Sequence, residues 1–214
     1  MPARAWRFLF SPAIKQHMKG TSRKHLYLIA LVPGPGLRER VRSLNEEMRD
    51  RYGASHALKS PAHITLQMPF RRVVSEEPTL IKTLKTFASG QKPLKVRLSG
   101  FDCFPPRVLY VKIVNPELLA PLHKDLQEVL RKELGFPGKE SNFRFHPHMT
   151  IATRDLTEEA FHEAWHEFSG RGFEATFEVR SLFLLKHNGR TWDLFREFPF
   201  KGIDPKEQDE VPVP

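Results

Sequence analysis

The order of hydrophobic patterns repeats along this chain, and the repeat is what most limits its fold. Apolar residues first follow a strand-like spacing and then recur every three to four positions, in the order strand, helix, strand, helix, strand. The same order begins again near residue 108. A chain of 214 residues can bury one core shared by two such halves. We therefore predict a bilobal, pseudo-twofold α+β body with duplicated β-α-β-α-β halves.

The boundaries of the predicted elements follow from the same spacing. In the first half, strands are predicted over 25–32, 62–70 and 94–104, with helical stripes at Leu37, Val41, Leu44 and Met48 and at Leu80, Ile81, Leu84 and Phe87. In the second half, strands are predicted over 108–114 and 145–153, helices over 116–134 and 158–168, and a closing hairpin over 173–185 and 191–198 around Asn188-Gly189. These elements predict one domain over 23–200, with lobes at 25–104 and 107–200.

Both ends of the chain differ from this domain in composition. The first 38 residues contain no Asp or Glu, and residues 1–22 are predicted to be a basic flexible extension. Residues 201–214 are acidic and rich in proline, with little to bury, so they are predicted to be a disordered tail.

Charge and cysteine content narrow the functional classes. Lys and Arg outnumber Asp and Glu by 34 to 25, a net charge of +9. This favours an anionic partner such as nucleic acid, although a solvated basic surface is the simpler alternative.

The single cysteine, Cys103, excludes an internal disulfide and a cysteine zinc cluster, and we expect it to pack in the interior. No apolar stretch approaches the roughly 20 residues of a membrane span. A cytoplasmic monomer is expected.

Two short motifs lie at equivalent positions of the two halves. His63-Ile64-Thr65-Leu66 and His148-Met149-Thr150-Ile151 both read His-x-Thr-aliphatic on the middle predicted strand. Alternation along a strand places the histidine and the threonine on one face and the aliphatic residues on the core face. One such motif could arise by chance, but two at matching places predict a paired site.

Two imidazoles and two hydroxyls facing each other across a cleft suit in-line attack on a phosphodiester. One histidine would accept a proton from water while the other protonates the leaving ribose oxygen. Because an unperturbed imidazole has a pKa near 6.5, both forms coexist near neutral pH. Thr65 and Thr150 would bind the nonbridging oxygens and stabilise charge developing on phosphorus.

These motifs resemble those of the 2H phosphoesterases, the family of bacterial 2′-5′ RNA ligases and cyclic phosphodiesterases (LigT-like proteins). The segment 106–111, Pro-Arg-Val-Leu-Tyr-Val, also looks like the strand that opens the family's second half, and 181–200 looks like its closing hairpin. The resemblance covers roughly residues 25–200.

The resemblance implies antiparallel sheets around a central cleft and hydrolysis of 2′,3′-cyclic phosphates to 2′-phosphates without a metal or cofactor. Reversible 2′-5′ RNA joining often accompanies it. The implied substrates are RNA ends or nucleotides that carry a cyclic phosphate. By motif match His63 is assigned as the acid and His148 as the base, although the half-sites are nearly symmetric.

Further residues are candidates for the same site. Arg107 could bind the substrate phosphate, and the alternative is a solvent-exposed side chain with no such role. Tyr27 and Tyr110 occupy similar predicted places and could stack on bases, with core packing as the alternative. His146 falls on the face of His148 and could tune it, or simply be solvated.

Two rival functions remain open at this point. His162-Glu163-x-x-His166 matches the helical zinc-hydrolase pattern, but Phe161, Trp165 and Phe168 would form the buried face of that helix and no third ligand is evident. A noncatalytic RNA- or nucleotide-binding module with the same cleft is the other alternative.

Overall fold

The computed structural model describes residues 23–137 and 145–202. The predicted basic extension and nearly all of the predicted acidic tail lie outside the described residues. The predicted α+β fold is confirmed, with two four-stranded antiparallel sheets.

The first sheet has the order β2-β1-β7-β8. Its strands are β1 (Lys24–Leu31), β2 (Ile64–Val73), β7 (Ser181–His187) and β8 (Trp192–Pro199). The second sheet has the order β5-β4-β3-β6. Its strands are β3 (Leu94–Phe104), β4 (Val108–Ile113), β5 (His148–Ala152) and β6 (Glu174–Val179). All neighbouring strands run antiparallel, which leaves each sheet free to bury one face and present the other.

Within residues 23–137 and 145–202, four helices follow the apolar stripes seen in the sequence: α1 (Pro35–Tyr52), α2 (Glu77–Ser89), α3 (Ala120–Leu134) and α4 (Glu158–Phe168). Gly53 and Gly135 end α1 and α3 in the left-handed conformation, at φ of 70° and 60°. Thr157 is the N-cap of α4, because its hydroxyl oxygen accepts a hydrogen bond from the main-chain N–H of Ala160. Short 3₁₀ turns occupy His56–Lys59, Val74–Glu76 and Pro116–Leu118.

The strands of the two sheets do not follow the predicted lobes at 25–104 and 107–200. β3, which closes the first half in sequence, pairs with β4 in the second sheet. The hairpin of β7 and β8, which closes the second half, pairs with β1 in the first sheet. The last strand or strands of each half therefore belong to the sheet that contains the first two strands of the other half. In addition, α1 of the first half contacts β5 of the second half. The two halves are interleaved through a shared core.

Two predicted elements were also divided differently. The expected strand over 173–185 is two strands, β6 and β7, separated at Arg180 and placed in different sheets. Alternating apolar residues up to Val179 are followed by the apolar run 182–185 with no glycine or proline between them, so the sequence pattern did not reveal the change of sheet. The helix expected from residue 116 begins at Ala120, after the 3₁₀ turn Pro116–Leu118.

Among the residues that the structure describes, apolar side chains form one large core and one small separate cluster. The large core joins residues of both sheets and of all four helices. The small cluster consists of Leu28, Ala30 and Leu185, with Val32, Phe183 and Trp192 packed around it. It lies on the face of the first sheet opposite the main core, because Ile29 and Leu31 alternate with Leu28 and Ala30. Within the described part of the chain, no helix is long and apolar enough to cross a membrane.

Candidate active site

Strand alternation orients both His-x-Thr motifs as expected. In the first motif, Ile64 and Leu66 are buried in the main core, while Thr65 is opposite Ala30 of the small cluster. His63 and Thr65 therefore share the face that the main core leaves open. In the second motif, Met149 and Ile151 are buried in the main core and Thr150 is opposite Tyr110.

The two histidines are held in the same way. Nδ1 of His63 lies 2.8 Å from the carbonyl oxygen of Pro61, and Nδ1 of His148 lies 2.8 Å from that of His146. A carbonyl oxygen only accepts, so each Nδ1 carries the proton and donates it. In the neutral imidazole, Nε2 then keeps a free lone pair. Each histidine can thus accept a proton at Nε2, or release one from it after protonation.

The electrostatic environment lowers the pKa of both histidines below the ordinary value. Burial is the main cause for His63, and the charge that nearby His148 can carry lowers its pKa further. Burial is also the main cause for His148, followed by the neighbouring imidazole of His146. In both cases the bond to the carbonyl opposes the shift. β2 and β5, along which the two motifs lie, contact each other.

Contacts between the halves fix the strands that carry the motifs. Asn45 of α1 donates from Nδ2 to the carbonyl oxygen of Ile151 at 3.3 Å. Asp155, just after β5, accepts the main-chain N–H groups of Ser55 and His56 at 3.0 and 3.1 Å. Ser55 and His56 open the 3₁₀ turn that leads to the first motif. The segment that precedes the first motif is therefore hydrogen-bonded to the segment that follows the second motif.

Aromatic and imidazole rings surround the second motif. The ring centroid of Tyr110 lies 4.9 Å from that of His148, and the ring of Phe104 lies 5.1 Å from both His146 and His148. The phenol oxygen of Tyr110 lies 3.0 Å from Nε2 of His146. Burial and the carboxylate of Asp102 raise the pKa of Tyr110, so its hydroxyl stays protonated. His146 thus has a specific contact at the site, although its side chain is exposed.

The two tyrosines do not occupy equivalent places. Tyr110 lies opposite Thr150, but the residue opposite Thr65 is Ala30. Tyr27 lies in the main core, on the other face of β1, and its hydroxyl donates to Glu77. Tyr27 is 0% exposed and Tyr110 is 1% exposed, so neither ring is open for stacking on a base. Tyr27 packs in the main core, whereas Tyr110 is buried against Phe104, His146 and His148 on the face of the second motif.

Arg107 and Cys103 lie near the second motif on β3 and the turn that follows it. Arg107 is exposed in the turn between β3 and β4, and within the described residues its side chain forms no hydrogen bond or ion pair. Cys103 is half-buried and packs against the main core. Burial and the neighbouring Asp102 raise the pKa of its thiol, which does not suit a nucleophile.

The zinc-hydrolase pattern on α4 does not form a site. His162, Glu163 and His166 are exposed, whereas Phe161 and Phe168 are buried. In residues 23–137 and 145–202, no three His, Cys, Asp or Glu side chains gather as metal ligands would. The pattern comes from the polar face of an amphipathic helix.

Sequence reasoning missed two aromatic residues beside the site. Phe104 keeps 36% of its surface exposed although its ring contacts His146 and His148. Trp192 packs beside the small cluster on the face that carries Thr65. The available signal was an aromatic residue next to a turn, at Phe104-Pro105-Pro106 and after Asn188-Gly189, where a strand ends at the rim of a sheet.

Comparison with known proteins agrees with this geometry. The family model of the 2′-5′ RNA ligase superfamily matches residues 33–191. The chain belongs to this superfamily, the 2H phosphoesterases. Among the relatives of this 2H phosphoesterase, a Geobacillus kaustophilus protein named "Putative phosphoesterase" is 29% identical over 77% of the chain and 92% of its own length. A Shouchella clausii protein of the same name is 37% identical over 49% of the chain and 58% of its own length.

Solved structures share the fold of this 2H phosphoesterase at low sequence identity. E. coli LigT in complex with 3′-AMP superposes with a TM-score of 0.63 at 16% identity, over 84% of the chain and 100% of LigT. TT0787 of Thermus thermophilus superposes with a TM-score of 0.60 at 21% identity, over 83% of the chain and 98% of that protein.

Proposed function

We propose that this 2H phosphoesterase hydrolyses 2′,3′-cyclic phosphates, at RNA ends or on nucleotides, to 2′-phosphates without a metal ion. The observation that carries the proposal is the matched anchoring of His63 and His148. Each donates from Nδ1 to a carbonyl oxygen 2.8 Å away, which leaves Nε2 for proton transfer. LigT, which has the same fold, was crystallised with 3′-AMP, a ribose phosphate ester.

The reaction needs one proton acceptor and one proton donor. His148 takes a proton from water at Nε2 while the water oxygen attacks phosphorus. The bond from phosphorus to the ribose O3′ breaks, and His63 delivers its Nε2 proton to that oxygen. The product keeps the phosphate on O2′, and one water is consumed. Thr65 and Thr150 donate their hydroxyl protons to the nonbridging oxygens as negative charge grows there.

Burial favours the neutral form of both histidines, and the motif match assigns the role of base to His148. A base must be neutral before the reaction, and the lowered pKa keeps His148 neutral at neutral pH. The acid must be protonated, and the pKa of free His63 is also lowered. The single negative charge of the cyclic phosphate in a bound substrate offsets this, because a negative charge nearby favours the imidazolium form. Arg107, exposed on the turn beside Phe104, is proposed to contact the same phosphate.

The test is turnover of nucleoside 2′,3′-cyclic phosphates and of a short RNA with a cyclic phosphate end, in the presence of EDTA. We expect release of the 2′-phosphate by the wild type and a loss of about 10²- to 10⁴-fold in His63→Ala and in His148→Ala. His162→Ala, on the exposed face of α4, is the matched control and keeps wild-type turnover. A wild type that binds these compounds without turning them over would leave a noncatalytic binding module instead.

A further inference from the structure

A cavity of about 380 Å³ lies beside the first motif and is not used by the reaction described above. Its walls come from the N-terminal half of α1, from residues 58–62 ahead of His63, and from Thr191 and Trp192 at the start of β8. This volume falls within the range of sites that bind small molecules. Cationic side chains on its walls are Arg38, Arg42 and Lys59, against one acidic side chain, Glu39.

The cavity adjoins the open face that carries the motifs. Pro61 lines it, and the carbonyl oxygen of Pro61 accepts Nδ1 of His63. Asn45 lines it as well and donates to Ile151 in the strand of His148. Trp192 lines the cavity and also packs against the small apolar cluster, in which Ala30 is the cross-strand neighbour of Thr65. A ligand bound at the histidines can therefore extend into the cavity without crossing the core.

The charges in the cavity are not all neutralised by the protein. Arg42 pairs with Glu46 at 3.1 Å. Within the described residues, the side chains of Arg38 and Lys59 have neither an ion-pair nor a hydrogen-bond partner. Two unpaired cations in a partly enclosed cavity attract an anion more strongly than the same charges on a flat surface, because fewer water molecules screen them.

We propose that this cavity binds a second phosphate of the substrate, carried on the same nucleotide as the cyclic phosphate, and that Arg38 and Lys59 recognise it. The proposal rests on the proposed function, because the cyclic phosphate at the histidines positions the second group. That group is the 5′-phosphate of the terminal nucleotide, either free or linked to the next nucleotide of an RNA. Trp192 lines the same wall and offers a partly exposed indole to the linked nucleotide.

The experiment compares kcat/KM for three substrates at fixed low ionic strength. They are a nucleoside 2′,3′-cyclic phosphate, the same compound with a 5′-phosphate, and a dinucleotide ending in the cyclic phosphate. We expect the second phosphate to raise kcat/KM about tenfold in the wild type, the effect of one charge-assisted contact. In the double variant Arg38→Ala/Lys59→Ala this ratio falls towards one.

The matched control is Lys82→Ala/Arg131→Ala, which removes two exposed cations from α2 and α3 outside the cavity and keeps the wild-type ratio. A gain with the free 5′-phosphate identifies recognition of the charge itself. A gain with the dinucleotide alone identifies the linked nucleotide, and Trp192→Ala then reduces it. Equal kcat/KM for all three substrates in the wild type, or a ratio unchanged in the double variant, overturns the proposal.

Binding separates this proposal from the proposed function. Calorimetry compares adenosine 3′-phosphate with adenosine 3′,5′-bisphosphate, neither of which needs turnover. Tighter binding of the bisphosphate that disappears in Arg38→Ala/Lys59→Ala supports the second phosphate site even if no cyclic phosphate is hydrolysed. Equal binding of the two compounds by the wild type overturns it.

Discussion

The phenol oxygen of Tyr110 lies 3.0 Å from Nε2 of His146, and the carbonyl oxygen of His146 accepts Nδ1 of His148 at 2.8 Å. Tyr110 therefore supports the main-chain segment that orients one of the two motif histidines. The first motif has no counterpart of this arrangement, because Ala30 lies opposite Thr65. The two half-sites are thus alike in how they anchor the imidazole and different in what surrounds it.

Removal of the Tyr110 hydroxyl tests this support. We expect Tyr110→Phe to lower the free energy of unfolding by about 1 kcal/mol, because one hydrogen bond is lost and the ring remains. We expect kcat to fall about three- to tenfold with little change in KM, because looser positioning of His148 affects the reacting geometry. Urea unfolding and steady-state kinetics measure the two effects.

Tyr52→Phe is the control for Tyr110→Phe. It removes a hydroxyl that bonds to Glu167 at 3.0 Å on the surface, away from the motifs. It should leave kcat unchanged. Wild-type kcat in Tyr110→Phe would show that His148 is positioned without help from Tyr110.

The lowered pKa values of the two histidines predict the pH dependence of kcat/KM. The reaction requires one protonated and one neutral imidazole in the free enzyme. Because both pKa values lie below the ordinary 6.5, the protonated fraction falls as pH rises through neutrality. We expect a bell-shaped profile with its maximum below pH 6.5. A profile that rises steadily from pH 6 to pH 9 would contradict an imidazolium acid.

The two motif threonines are predicted to act through their hydroxyls. Thr65→Val and Thr150→Val keep the branched shape but remove the donor, and we expect kcat to fall about 10²-fold or more in each. Thr65→Ser and Thr150→Ser keep the hydroxyl and should retain most of the activity. Kinetics with a cyclic phosphate substrate compare the four variants. Loss of activity in the serine variants with retention in the valine variants would point to packing of the methyl group instead.

Glu77 is predicted to stabilise the first sheet in a pH-dependent manner. Its carboxylate accepts Lys186 Nζ at 2.8 Å and the hydroxyl of Tyr27. Burial acts to raise the pKa of Glu77, but these two donors outweigh it, so the pKa is lowered from 4.5. A lowered pKa means that the contribution is present above the ordinary carboxyl range and is lost as pH falls through the folded-state value.

Glu77→Gln should lower the free energy of unfolding by about 1–3 kcal/mol at pH 7, because Lys186 loses its carboxylate partner in a half-buried site. The difference between wild type and variant should shrink below pH 4. Urea unfolding at several pH values measures it. Glu76→Gln is the control, since Glu76 is more exposed and pairs with Arg72 at 3.6 Å only. A difference that is independent of pH would contradict the role of the charge.

Much of the site could be read from the sequence because its information is local. Alternation within a strand decides that Thr65 shares a face with His63 while Ile64 is buried, and this holds wherever the strand is placed. The same is true of the apolar stripes of the helices and of the glycines that end α1 and α3. The identity of the four motif residues, and their arrangement in two similar halves, followed from patterns of a few residues.

Only the tertiary structure decided which strands pair and what surrounds the motifs. A strand's own sequence does not determine its neighbour, so the transfer of β3 to the second sheet and of β7 and β8 to the first was not visible locally. For the same reason Tyr27 and Tyr110 looked equivalent, although strand register places one in the core and the other opposite Thr150. The cavity beside Pro61 brings together residues from α1, the segment before β2 and the start of β8. These segments are distant in sequence, and burial of the shared core is what brings them together.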